Sequence, residues 1–136
     1  MGLMACLGAF AQQAKLIPID ETEDYEVLIA NQVLKTDDGT YVVILKTYLY
    51  TPLAQGSFME QFEVSDVPAY KMEWVEFSPD WSKYAIYSIS ASDDYGNMIF
   101  KYDNPKPRTF HPISSSQTIY NIVPMAKKFQ VIPFPK

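Results

Sequence analysis

From residue 25 to residue 102 the chain alternates apolar and polar positions in short runs separated by turn-forming clusters, which is the signature of antiparallel strands. Residues 40 to 50, "TYVVILKTYLY", are nearly all β-branched, aromatic or aliphatic and follow Asp37-Asp38-Gly39, whose Asp-Gly step favours the positive φ of a hairpin turn. The first arm of that hairpin comes from residues 25 to 35, and Asn31-Gln32 is expected to break it into two pieces. In the second arm Val42 and Ile44 share one face while Val43, Leu45 and Leu49 share the other, so both faces of this strand must be covered.

A second meander is predicted over residues 71 to 102. "KMEWVEF" (71 to 77) and "KYAIYSIS" (83 to 90) flank the Ser78-Pro79-Asp80 turn, and Asp94-Tyr95-Gly96-Asn97 turns the chain into "MIFKY" (98 to 102). In the middle strand Ala85, Tyr87 and Ile89 are assigned to one face and Tyr84, Ile86 and Ser88 to the other. Pro105, Pro107 and Pro112 then forbid regular pairing. A short helix is predicted from about 115 to 123, with Ile119, Ile122 and Val123 on one stripe and Pro124 ending it. Residues 125 to 136 read as an edge strand or a tail. Segment 51 to 70 is ambiguous: Ser57 with Glu60 has the spacing of a capping box, and a short helix there stays open. The pattern as a whole describes an α+β chain, a single antiparallel sheet of hairpins and a meander with a short C-terminal helix packed across one face.

Composition narrows the functional classes. The 136 residues suit one domain, and 48% hydrophobic with 15% aromatic residues supply enough material for a core. Sixteen acidic against eleven basic residues leave a net charge of -5, which repels polyphosphate and argues against a nucleic-acid partner. "GLMACLGAFAQQ" is an apolar run ending in Ala9-Phe10-Ala11, so residues 1 to 11 read as the remnant of a secretory signal peptide, against the alternative of a short buried strand or helix. Cleavage after Ala11 would discard Cys6, the only cysteine; the competing reading makes Cys6 a lipidated residue after Leu3-Met4-Ala5. No later segment has the roughly 18 apolar residues of a transmembrane helix.

The chemistry-bearing residues are few. His111 is the only histidine, and although Ser114, Ser115 and Ser116 follow closely, no G-x-S-x-G elbow accompanies them, so packing or turn chemistry is the expected role. Asp37-Asp38 and Asp93-Asp94 lack the spaced carboxylates of a calcium loop, and five glycines form no phosphate loop. No catalytic residue, metal ligand or cofactor is expected. Trp74, Trp81, Tyr84, Tyr87, Tyr95, Tyr102, Phe110 and Tyr120 together exceed what a small core needs, so a binding face is open collectively, with core packing favoured for each one.

The succession "MEWVEFS", "KYAIYSISASDDYGNMIFKYDNPKPRTFHPI" and "SSSQTIYNIV" resembles the surface-adhesin protein E-like domain of small exported bacterial proteins, over roughly residues 15 to 124. The matching positions are Asp94, Gly96, Asn97, Tyr102, Asp103, Pro105, Pro107, Pro112, Ile113, Tyr120 and Ile122. Where many members carry a cysteine after the aromatic strand and another at the end of the helix, this chain has Ser78 and Pro124, so the up to about 4 kcal/mol that such a disulfide contributes must come from packing. The resemblance implies an antiparallel sheet with a helix across one face, exported in a Gram-negative bacterium to the periplasm, the surface or the medium. The functional expectation is a non-catalytic binding module, adhesin-like towards extracellular or envelope proteins, with a structural or assembly accessory of the envelope as the alternative. A protein partner is expected, and a homo-oligomer stays open.

Overall fold

The computed structural model describes residues 14 to 135. The leader-like segment and Cys6 lie outside the described residues. Among the described residues nine strands form one mostly antiparallel sheet, and two α-helices accompany it. The strands are β1 (Leu16–Glu21), β2 (Tyr25–Ala30), β3 (Gln32–Lys35), β4 (Tyr41–Leu49), β5 (Tyr70–Phe77), β6 (Lys83–Ser92), β7 (Met98–Asp103), β8 (His111–Pro112) and β9 (Gln130–Pro133). The helices are α1 (Pro52–Phe62) and α2 (Gln117–Ala126).

The central path runs β1-β2-β4-β5-β6-β7. Because β3 continues the line of β2 along β4, and β8 and β7 both lie along β6, the nine strands occupy about six positions across the sheet. The break between β2 and β3 falls at Asn31, as its polarity suggests, and Asn31 is held there by two bonds with the Lys15 backbone at 2.9 Å each. At the β3–β4 turn Gly39 takes φ 85°, the left-handed conformation that the Asp-Gly step favours. β9 pairs with β3 in parallel, the exception in an otherwise antiparallel sheet.

The meander of β5, β6 and β7 follows the alternation pattern, with turns over 78 to 82 and 93 to 97. One detail of it is corrected. A bulge in β6 makes Ser88 the partner of Trp74 and Ile86 the partner of Val75, leaving Tyr87 unpaired. Ile86 and Ile89 therefore pack on the same side, where strict alternation had separated them, and Tyr87 joins the opposite face with Trp74. Asn104 secures the bulge: its side chain donates to the Ile86 carbonyl at 2.8 Å and its backbone N–H to the Tyr87 carbonyl at 3.1 Å.

The second correction concerns the helices. α2 passes through Pro124 and ends at Ala126, three residues beyond the expected end at 123 and despite the backbone donor that Pro124 lacks. Its last turn brings Val123 and Ala126 into the core cluster with Ile119, Ile122, Val75 and Phe77, so burial outweighs the proline penalty. α1 settles the ambiguity of segment 51 to 70, and its cap is not Ser57. Thr51 is the N-cap, accepting from Ala54 N–H at 3.3 Å with Pro52 at the first helical position, while Ser57 lies inside the helix and donates to the Leu53 carbonyl at 3.0 Å.

The sheet thus has a helical face, where α2 sits on one core cluster and Phe58 of α1 anchors a second with Leu49, Ile89 and Ala91. On the opposite face Leu34, Val42 and Ile44 are covered by Met72, Trp74, Tyr87 and the chain end at Ile132 and Phe134.

Candidate functional site

On the helical face, a cleft of about 600 Å3 is lined by residues of α1, of the N-terminal turn of α2 and of the strands beneath. Its floor is written in the register of the sheet. One cross-strand row runs Asp20, Val27, Thr47, Lys71, and the next runs Leu45, Glu73. Leu53, Ala54 and Ser57 form one wall, and Ser116, Thr118 and Ile119 the other. Apolar floor and walls with a few placed polar groups are the usual composition of a small-ligand or side-chain site.

Lys71 and Glu73 are two apart on β5, so both point into the cleft, and they pair at 3.4 Å with 29% and 24% of their side chains exposed. Asp24 accepts from the Thr51 hydroxyl at 2.7 Å, and Asp20 from the Tyr25 hydroxyl at 3.4 Å, which leaves each carboxylate further lone pairs. Thr47 is 94% buried (6% exposed), lines the cleft, and its hydroxyl has no hydrogen-bond partner among the described residues. The hydroxyl opens onto the cleft rather than into the core, so it is free to bond a group that enters there.

The other face holds a different arrangement. Lys46 lies 4.7 Å from the ring centre of Tyr48 and 4.3 Å from that of Tyr70, Tyr48 stacks on Tyr50 at 6.2 Å, and the Tyr50 hydroxyl donates to Glu26 at 2.9 Å, which raises the tyrosine pKa. This patch is self-satisfied: its cation is spent on two rings and a phenol on a carboxylate. The cleft has an unspent hydroxyl, and for that reason it is the candidate site.

Of the residues singled out in the sequence, Ser57, Tyr84 and Ser116 line the cleft and most of the others fall elsewhere. His111 is exposed on β8 beside Tyr84, with ring centres 6.2 Å apart, while Ser115 donates to the Pro112 carbonyl at 2.7 Å and Ser116 caps α2 by accepting from Ile119 N–H at 3.3 Å. Asp38 pairs with Lys106 at 2.6 Å, and this bond lowers its pKa. Asp93 accepts the backbone N–H groups of Tyr95 and Asn97 at 2.9 Å each, the work of a turn aspartate, and its pKa is lowered chiefly by the Asn97 bond. Of the eight aromatics, Tyr84 alone lines the cleft; Trp74, Trp81 and Tyr87 pack in the two faces, and Tyr95, Tyr102 and Tyr120 are exposed.

The proline segment that follows β7 carries an unexpected residue. Arg108 donates through Nη1 to Glu76 at 3.1 Å and through Nε to the Asn104 carbonyl at 3.0 Å, and its guanidinium lies 4.4 Å from the Tyr87 ring centre. The second oxygen of Glu76 accepts from the Thr40 hydroxyl at 2.6 Å, which leaves Thr36 to donate to Thr40 at 2.6 Å. Only 9% of the Arg108 side chain and 4% of the Glu76 side chain are exposed. Neither residue had a sequence signal, since they are brought together only when the segment crosses back over the sheet. Thr47 did have one: it is a hydroxyl on the face of "TYVVILKTYLY" otherwise filled by Val43, Leu45 and Leu49.

Comparison with protein-family models, with curated proteins and with solved structures finds no match to this chain. Among the described residues no helix is long and apolar enough to cross a membrane.

Proposed function

We propose that the chain is a non-catalytic binding module, exported in a Gram-negative bacterium and adhesin-like towards extracellular or envelope proteins, with the cleft between α1 and α2 as its binding site. The observation that carries the reading is the cleft itself, with the Thr47 hydroxyl open to it on an otherwise apolar part of the floor and the exposed side chain of Leu53 on its wall. Export is supported by the apolar run and Ala9-Phe10-Ala11 at the start of the chain, and the adhesin-like character by the resemblance of residues 71 to 124 to the surface-adhesin protein E-like domain.

A second reading, an assembly or structural accessory of the envelope, is favoured by one specific feature. β7 ends the sheet path with its outer edge unpaired by the other described strands, and Met98 and Tyr102 on it are exposed, which suits strand addition by a partner. Capture from bacterial envelope extract and from host extracellular matrix, with the wild type beside the cleft-filling Ala54→Trp, separates the readings. A matrix protein retained by the wild type and lost on Ala54→Trp is the expected result. An envelope protein retained equally by both variants would move the function to the sheet edge.

A further inference from the structure

The lining of the cleft is not electrically neutral. Asp20, Asp24 and Glu73 face one ammonium, that of Lys71, which is already paired with Glu73. The acidic excess lies away from the pair, at the β1–β2 end: Asp20 begins the row that continues through Val27 and Thr47 to Lys71, and Asp24 stands in the turn between β1 and β2. With strands spaced about 4.8 Å apart, Asp20 and Lys71 stand three strands, or about 14 Å, from one another, so a cation at the acidic end is remote from the ammonium. Between them lie the aliphatic surface of Val27 and the unmatched Thr47 hydroxyl.

Resting on the cleft as binding site, we propose that its occupant is a lysine or arginine side chain of a partner protein. The cationic head lies at Asp20 and Asp24, the aliphatic stem covers Val27 and Leu53, and a peptide group of the same segment is hydrogen-bonded by Thr47. Three features fit that chemistry together: carboxylates with further lone pairs at one end, the apolar side chains of Val27 and Leu53 beside them, and the Thr47 hydroxyl, able to donate to a carbonyl or accept from an N–H. An acidic ligand would meet the same carboxylates as repulsion, and a purely apolar one would leave Thr47 unmatched beneath it.

The test is an amide-resolved NMR titration of the full chain with three blocked pentapeptides identical except for a central lysine, glutamine or glutamate between leucines. The lysine peptide is expected to shift amides around Val27, Thr47 and Lys71, to lose affinity as salt rises, and to bind about tenfold or more weakly to the Asp20→Asn/Asp24→Asn variant, which keeps the carbonyl acceptors. Thr47→Val, isosteric and fold-preserving, is expected to weaken it about fivefold. Equal binding of the glutamate peptide, or an unchanged lysine-peptide affinity in the double variant, would overturn the cationic occupant while leaving the cleft as the site. Shifts that fall outside the cleft with all three peptides would overturn both.

Discussion

Strand β5 carries two glutamates, each paired with a cation, and they do opposite things. Glu76 faces the side away from the helices, where Arg108 and Thr40 occupy both of its oxygens and almost nothing of the pair is exposed. Glu73 faces the helices, where its single cation, Lys71, holds it at 3.4 Å and a quarter of each side chain remains open to the cleft. The pair that is fully matched fixes a segment in place. The pair that is partly matched leaves capacity for something else. A carboxylate's role here is set by how many of its acceptor sites the fold has already filled, rather than by residue type or strand.

The comparison can be broken most severely at Arg108. Arg108→Ala leaves Glu76 charged and enclosed, and is expected to cost about 3–5 kcal/mol in urea unfolding, with the double variant Arg108→Leu/Glu76→Leu recovering most of it. A loss under about 1 kcal/mol would mean that the crossing segment is held by its prolines alone. Next in size, Ile122→Ala should cost about 2–5 kcal/mol, because it empties part of the core under α2; its thermal unfolding checks whether burial carries the helix past Pro124.

Acid supplies a third, smaller perturbation. Asp80, in the β5–β6 turn, accepts from the Ser82 hydroxyl, the Ser82 N–H and the Ser78 hydroxyl, and these bonds lower its pKa to about 2. The folded state therefore favours the carboxylate. Its contribution is complete above the unfolded value of 3.8 and is lost as pH falls through about 2, so an Asp80 carboxyl resonance titrating near 4 would show that the turn is not ordered in this way. The smallest effect belongs to His111→Ala, expected within about 0.5 kcal/mol in stability and without change in ligand retention, since the residue is exposed and its ring centre lies 6.2 Å from that of Tyr84. A folded variant that lost binding would move the site to β8.

Legibility in the sequence followed the range of the interaction. The β5–β6–β7 meander and the break at Asn31 are local, set by alternation and turn residues, and both stand where the pattern puts them. The β6 bulge was hidden because the serines of "YSIS" satisfy either face, and only the pairing with Trp74 and Val75 decides the register. Pro124 misled for the reverse reason: its local penalty is real, but the burial of Val123 and Ala126 that outweighs it is tertiary. Of the candidate site, only the oddity of a threonine in an apolar strand was visible. Its union with Asp20 depends on β1 folding back along β2, and that of Arg108 with Glu76 on a crossing of 32 residues.

The most direct measurement compares Glu73→Gln with Glu76→Gln, recording for each the unfolding free energy and the affinity for the lysine peptide. Glu76→Gln is expected to lose stability, leaving Arg108 unmatched, while the folded fraction binds as the wild type does. Glu73→Gln is expected to unfold within about 1 kcal/mol of the wild type, as a partly exposed pair should, and to weaken binding by no more than about twofold, because Lys71, then unopposed, stands about 14 Å from the bound cation. The reverse pattern, with Glu73→Gln unstable and Glu76→Gln impaired only in binding, would contradict the account and place the functional carboxylate on the face away from the helices.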